Sequence, residues 1–379
     1  MLRSSPGRPA LAVVAALAVA LVVPATAATA ATATTAAPTA AAGPTSTAAA
    51  APTPATTPAP APAALAPVAQ PVTGAAGIAA NAARLRAATP AQVFAGGPYV
   101  QADGVAAKAA TQLAAAGRTN EAAAARTIAR YPVAIWLGSW YDDAMLVKTI
   151  QRTLTAAERT GTTPVFVTYD IPGRDCGGYS GGGQADPKAY LARNQLVAST
   201  LAGHRAVVVV EPDALGHISN CPALAASREA TLAAAVTAFT AAGVPSYLDA
   251  GNENWVKPAV MAERLRAAGV DRARGFSTNV SNYYALTGER AYGDALSRLT
   301  GGARYVVDTS RNARGWLGTW CNAVGAGLGA PPAASDGSTA FDAQLWIKTP
   351  GASDGPCNGG PAAGTWFPAY AVALVRNRA

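Results

Sequence analysis

Residues 165–176 read Val-Phe-Val-Thr-Tyr-Asp-Ile-Pro-Gly-Arg-Asp-Cys, and residues 206–213 read Ala-Val-Val-Val-Val-Glu-Pro-Asp. Each is a short β-branched run that stops abruptly in carboxylates. A run of that length bounded by turn residues suits a strand buried on both faces. A carboxyl at its end sits at the mouth of a core, where partial desolvation raises its pKa. Asp175 and Asp213 are therefore what an acid/base site on a parallel barrel or sheet needs.

On either side of these two, further apolar runs lie at Pro132–Trp136, Val244–Leu248, Gly275–Thr278, Tyr305–Val307 and Gln344–Ile347. Between them come Ala-rich helical stretches such as Met145–Arg159, Pro187–Leu201, Ser227–Ala242, Pro258–Ala268 and Glu289–Leu299. Gly161, Gly203, Gly243 and Gly269 stand where helices end. Strand–helix alternation at this spacing predicts parallel strands with right-handed crossovers. About seven repeats favour an α/β fold of the (β/α) barrel type, closed or nearly so, over an open sheet. Nearly every run terminates in polar residues: Trp140 and Tyr141, Tyr169 and Asp170, Glu211 and Asp213, Asp249 and Asn252, Asn279 and Asn282, Asp308 and Arg311, Lys348 and Asp354. In such barrels the carboxyl ends of the strands form the active face.

The N-terminal part is not fold material. Residues 1–27 carry Arg3 and Arg8, then the apolar run Leu11–Val23, then small residues, the layout of a cleavable secretory signal. That run is short for a membrane span. Residues 28–72 are almost only Ala, Pro and Thr, too poor in bulky apolar surface to offset chain entropy, and read as a disordered spacer. Residues 73–379 form one even block, long enough for a single catalytic domain. The formal charge of +8 is scattered, without a basic stripe interleaved with aromatics, which argues against nucleic acid. Cys176, Cys221, Cys321 and Cys357 all lie in the block. Behind a signal, an even count suggests two disulfides, and the sequence leaves three pairings open. The lack of CxxC spacing and the presence of only two histidines argue against zinc, so neither metal nor cofactor is expected.

Carboxylates at strand ends with Trp and Tyr beside them suit a sugar, whose C–H faces stack on aromatic rings. Glycosidic cleavage needs one protonated and one ionised carboxyl. Asp213, after four valines and a Pro, is the better acid. Asp175, beside Arg174, is the better ionised partner.

The ordered segments Tyr-Asp-Ile-Pro-Gly-Arg-Asp-Cys (169–176), Val-Glu-Pro-Asp (210–213), Tyr-Leu-Asp-Ala-Gly (247–251) and Thr-Asn-Val-Ser-Asn-Tyr (278–283) resemble glycoside hydrolase family 6. So do Asp-Thr-Ser-Arg-Asn (308–312), Trp-Cys (320–321) and Leu-Trp-Ile-Lys-Thr-Pro-Gly-Ala-Ser-Asp-Gly (345–355). The resemblance runs from about Phe94 to the C-terminus. It implies a distorted, partly open barrel and inverting cleavage of β-1,4-glucans, with two functional carboxyls roughly 6.5–9.5 Å apart. It makes Asp213 the proton donor and Asp175 its tuning partner, with Tyr169 crowding the sugar at the cleavage point. Asp354 stands at the position of the disputed general base. Trp136, Asp249, Trp255, Asn282, Trp346 and Lys348 fall at substrate-binding positions, and the implied disulfides are Cys176–Cys221 and Cys321–Cys357. One departure is Ala352, where the family usually has Glu two positions before Asp354. It predicts weaker or altered substrate binding.

The segments after Cys176 and Cys321 are short and rich in Gly and Ala, which favours an open cleft and internal cutting. The expected protein is thus a secreted, extracellular endo-β-1,4-glucanase, a monomer with a β-1,4-glucan partner and no membrane contact once the signal is removed. The alternatives are a cellobiohydrolase of the same family and a catalytically silent glycan-binding homologue. Gly178–Gly182 fits the GxSxG elbow of esterases, but it follows a Cys rather than a strand. Its glycines read as a flap over the sugar.

Overall fold

The structure, a computed structural model, describes residues 63–379. The signal (1–27) and residues 28–62 of the spacer lie outside the described residues. The end of the spacer, residues 63–72, is joined to the domain by main-chain hydrogen bonds. Leu65 N donates to Gln92 O (3.1 Å), Gly203 N to Val68 O (2.8 Å) and Val72 N to Ala241 O (2.8 Å). Composition places the boundary at 73 because it counts apolar side chains. Backbone groups hold this stretch, so the ordered domain begins earlier.

The strands are β1 (Ile135–Gly138), β2 (Val165–Tyr169), β3 (Val207–Val210), β4 (Ser246–Asp249), β5 (Gly275–Thr278), β6 (Arg304–Asp308), β7 (Ala333–Ala334) and β8 (Phe341–Leu345). The helices are α1 (Ala75–Ala87), α2 (Pro90–Val93), α3 (Val105–Ala115), α4 (Thr119–Ala129), α5 (Asp143–Thr160), α6 (Pro187–Leu201), α7 (Ala225–Ala241), α8 (Pro258–Ala267), α9 (Leu286–Leu299) and α10 (Pro368–Arg376). One sheet runs in the order β1-β2-β3-β4-β5-β6-β8-β7. Every pairing is parallel except the two-residue β7 against β8. The seven parallel strands agree with the sequence pattern, and the added antiparallel strand makes the sheet mixed.

Among the described residues no ladder joins β1 to β8, so the barrel is open. Ala134 N, donating to Trp346 O at 2.9 Å, and the Trp136 indole, donating to Ile347 O at 2.8 Å, tie β1 to the chain just after β8. The β1 run begins later than the sequence pattern suggests, since Pro132 has no amide for a ladder. At β8 the chain leaves the sheet after Leu345, because the amides of Ile347 and Lys348 turn to the Asp308 carboxylate (3.3 and 2.9 Å).

Alternation within the strands builds two apolar layers. Val165, Val167, Val207, Val209, Tyr247, Val306, Ala343 and Leu345 point inward and form one cluster. Phe166, Val208, Val210, Leu248, Phe276, Tyr305 and Val307 point outward against α5–α9. Burial on both faces explains the uninterrupted apolar runs. At the N-terminal ends of the strands, Asp342 accepts from Arg274 (2.8 and 2.9 Å), Arg304 (2.5 Å) and Tyr247 (2.6 Å). That buried ion cluster closes the bottom of the barrel and leaves the opposite end for chemistry. The helix ends follow local signals: Asp142 and Asp186 accept from Met145 N (2.7 Å) and Ala189 N (2.8 Å), capping α5 and α6. Gly161 ends α5 in the left-handed region, as its place in the sequence predicts. Among the described residues no helix is long and apolar enough to cross a membrane.

Candidate active site

Eight non-glycine residues among those described have positive φ: Asp175, Cys176, Glu211, Asp213, Asn279, Ser281, Asn322 and Asn358. The first six lie in the loops after β2, β3 and β5. Left-handed backbone costs an L-residue about 1–2 kcal/mol, and such strain persists where the surroundings over-determine it, as at active sites. Here the surroundings are hydrogen bonds. Buried Glu211 accepts from the amides of Asp170 (3.0 and 2.9 Å) and Ile171 (3.1 Å), fastening the β3 end to the β2 end. Burial pushes the Glu211 carboxyl up to about 7 against those amides.

Asp213, two residues on, projects at the mouth of the barrel, partly exposed. Its amide donates to Asp249 Oδ2 (2.9 Å), which also accepts from Gly251 N (3.0 Å). The other Asp249 oxygen accepts from Ser277 Oγ (3.2 Å). Desolvation, then the Asp249 charge, pushes the Asp213 carboxyl up to about 7; nearby Asp175 adds to it, while His217 and Lys348 oppose. Burial raises Asp249 too, but its three donors favour the ionised form. The shared proton of this pair therefore rests on Asp213.

Asp175 lies in the loop between β2 and α6. Burial opposes its ionisation, but His217 Nε2 (3.2 Å on Oδ1) and Ser180 N (2.8 Å on Oδ2) win, holding it below the usual carboxylate range. Arg174 anchors that loop, donating to the carbonyls of Tyr169 (2.5 Å), Ser180 (2.7 Å) and Gly181 (3.3 Å). Its guanidinium also lies 4.6 Å from the Tyr169 ring centre. Burial, then the Asp213 and Asp175 charges, pushes the Tyr169 phenol far above its ordinary value, so it stays neutral. The Cys176–Cys221 and Cys321–Cys357 disulfides form as the family resemblance implies, the first between the two strand-end loops that carry Asp175 and Asp213.

Asp354 is a carboxylate bound on both oxygens. Oδ1 pairs with Lys348 Nζ (2.8 Å). Oδ2 accepts from Arg311 (2.7 Å), Asn322 N (2.9 Å) and Tyr283 OH (3.3 Å). Although it is buried, the two cations hold it well below the usual carboxylate range. A free base would keep a lone pair open, and this carboxylate keeps little.

A cleft of about 620 Å³ is lined by Trp136, Trp140, Tyr169, Arg174, Lys348 and Ala352, among others. Asp213 and Asp175 border Tyr169 but are not part of that lining. Trp255 packs edge-on to the His217 ring at 4.9 Å. Asn282 is partly buried, with Oδ1 lacking a partner among the described residues. Trp346 is a correction to the sequence reading. It is 2% exposed, packs 4.7 Å from Tyr131 and spends its indole N–H on Ala330 O (3.0 Å), so it is a core residue with no face for a ligand. The preceding strand, β8, ends at Leu345, and the turn toward Asp308 points the next side chain inward.

Sequence reasoning missed Arg311, Asn322, Tyr283 and His217 as partners of the carboxylates. Arg311 is wholly buried, and a buried Arg implies an acidic mate, but its sequence does not say which. Tyr179 and Trp320, half exposed with ring centres 6.1 Å apart, add aromatic surface the sequence reading did not pair.

The family model described as glycosyl hydrolases family 6 matches residues 95–378, which include every strand. Endoglucanase A of Cellulomonas fimi is 40% identical over 250 residues, 66% of this chain but only 55% of that protein. Exoglucanase-6A of Humicola insolens is 29% identical over 324 residues, covering 67% of this chain and 68% of that one. The structure of the endoglucanase Cel6 from Mycobacterium tuberculosis, in complex with a methyl-cellobiosyl-4-deoxy-4-thio-β-cellobioside, superposes with a TM-score of 0.69 at 40% identity. It covers 77% of this chain and 98% of that chain. With the family match spanning the whole barrel and its strand-end carboxylates, this chain belongs to glycosyl hydrolases family 6.

Proposed function

We propose that this chain is a secreted endo-β-1,4-glucanase that hydrolyses internal glucosidic bonds with inversion. The observation that carries the reading is the opposed state of two neighbouring strand-end carboxyls. Asp213, desolvated and tied through its amide to Asp249, favours its protonated form, while Asp175, accepting from His217 and Ser180, favours its ionised form. That is the division of labour an acid-catalysed glycosidic cleavage demands.

In this scheme Asp213 protonates the departing glycosidic oxygen as the C1–O bond breaks. Asp175 remains ionised, holds Asp213 in its acid form and orients the attacking water. Tyr169, neutral and fixed under Arg174, crowds the sugar ring toward a distorted form. Trp136 and Lys348 hold sugars along the cleft, with Asp249 and Trp255 beyond the acid. We assign Asp354 the part of a fixed charge between Lys348 and Arg311. A base works best with a pKa near the operating pH, so the water's proton leaves through a chain of waters rather than by direct transfer to Asp354.

Internal cutting is supported by the short segment between Cys176 and α6 and by the higher identity to the endoglucanases than to the exoglucanase. Secretion is supported by the signal at residues 1–27 and by the two disulfides. The test is reducing-sugar release from carboxymethylcellulose, with viscosity followed in parallel. The wild type should lose viscosity early, release sugar with the anomeric configuration inverted, and become inactive as Asp213→Asn. Release by neither form would favour the silent glycan-binding reading. Release without early viscosity loss would favour end-directed cutting.

A further inference from the structure

We propose that His217 is a positioning residue that clamps Asp175 toward the acid loop, donating from Nε2. His217 lies on the same loop as Asp213, and its amide donates to Asp213 O (2.9 Å). Its own carbonyl accepts from the amides of Asn220 (2.9 Å) and Cys221 (2.8 Å), and Cys221 is bonded to Cys176, the neighbour of Asp175. The Trp255 ring stands edge-on to the imidazole. A Cβ on Gly216 would come within 2.8 Å of the same indole, so that ring presses against both residues. Arg264 fixes the loop from α8, donating to Leu215 O (2.7 Å) and Ser219 Oγ (2.8 Å). The ring so held aims Nε2 at Asp175 Oδ1, 3.2 Å away.

The ring's second nitrogen is not engaged. His217 Nδ1 is buried and has no hydrogen-bond partner among the described residues. The ionised Asp175 carboxylate can only accept, so Nε2 carries the proton of the 3.2 Å contact and is the nitrogen through which the ring acts. The charged groups that meet the ring are Asp175 from the loop after β2 and Asp213 from its own loop, while Arg174 and Arg264 spend their guanidiniums on holding the two loops. The clamp acts through Asp175 and so on the state of the pair, without touching the sugar.

The inference rests on the hydrolase reading for its kinetic consequence. In His217→Phe, which keeps an aromatic ring and loses the donor, kcat on soluble cello-oligosaccharides should fall at least tenfold with KM within about twofold. The acid limb of the kcat profile should rise by about one pH unit, the scale expected for losing one hydrogen bond to a carboxylate. His217→Gln, whose amide can still donate, should recover most of kcat and return the limb. A folded His217→Phe protein with an unmoved limb, or a loss carried by KM alone, would overturn the clamp. If His217→Phe does not fold, nitrogen shifts of the two imidazoles in the wild type decide it, with His204→Gln supplying the assignment. A ring protonated on Nε2 supports the proposal, and a ring carrying its proton on Nδ1 alone refutes it. Wild-type protein that released no sugar would count against the hydrolase reading, while the spectrum would still judge the clamp.

Discussion

Replacing Asp249 with Asn removes one charge next to the proposed acid and little else. Asn keeps an acceptor for the Asp213 amide and nearly the same volume. The Asp249 charge is the largest contribution after desolvation to raising the Asp213 carboxyl to about 7. Two charges 4 Å apart interact by about 4 kcal/mol at the effective dielectric of about 20 that suits protein sites. The interaction falls inversely with distance, and a carboxyl that meets Asp249 only through its own backbone amide sits farther off. Taking about half that energy, and about 1.4 kcal/mol per pKa unit, gives a drop of about 1–2 units. The alkaline limb of kcat/KM on soluble cello-oligosaccharides should therefore move from near 7 toward about 5–6. The sign follows because a raised carboxyl keeps the acid loaded up to its pKa, and lowering that pKa unloads it earlier. An alkaline limb in Asp249→Asn that stayed in place or moved upward would refute the placement of the shared proton on Asp213.

Arg311→Met leaves the buried Asp354 with one cation and should cost about 3–5 kcal/mol, read as a fall in denaturant midpoint at pH 7. Because Asp354 is depressed in the folded state, the stability it contributes is present above the ordinary Asp value and lost as pH falls toward and below it. The wild type and the variant should thus converge in acid. Cys321→Ser with Cys357→Ser opens a link between residues 36 apart and should cost about 3–4 kcal/mol on the chain-entropy account, measured by reversible unfolding under non-reducing conditions. Ala352→Glu returns a carboxylate to the cleft wall beside Lys348 and should lower KM for soluble oligosaccharides several-fold, with kcat changed little. An unchanged KM would show that Ala352 leaves substrate affinity alone.

Much of this protein is legible in its residue pattern. Runs of Val and Ile bounded by turns announce strands buried on both faces, and glycines at helix ends announce their stops, since both are local consequences of backbone and side-chain shape. The carboxylates after β2 and β3 are legible for the same reason, because a strand that ends at the barrel mouth must present its next residues there. Helices α3 and α4 before β1 are not. Their alanines carry little periodic contrast, and only packing of α3, α4 and α10 against one another makes them an element. The docking of residues 63–72 is hidden because main-chain hydrogen bonds leave no mark on composition.

Strand periodicity and handed crossovers are enough to place Asp175 and Asp213 on one edge of a parallel sheet or barrel, because parallel strands all present their carboxyl ends on the same side. They do not say which carboxyl holds a proton, since that depends on donors distant along the chain. His217 and Ser180 favour the ionised form of Asp175, burial and then the neighbouring Asp249 favour the protonated form of Asp213, and Arg311 with Lys348 ties down Asp354. Nor does the residue pattern tell Trp346 from Trp136. Both follow apolar strand residues, and only the turn of the chain after β8 sends one indole into the core and leaves the other on the cleft. Fold follows from patterns repeated locally, whereas charge state and orientation follow from contacts that only the assembled barrel creates.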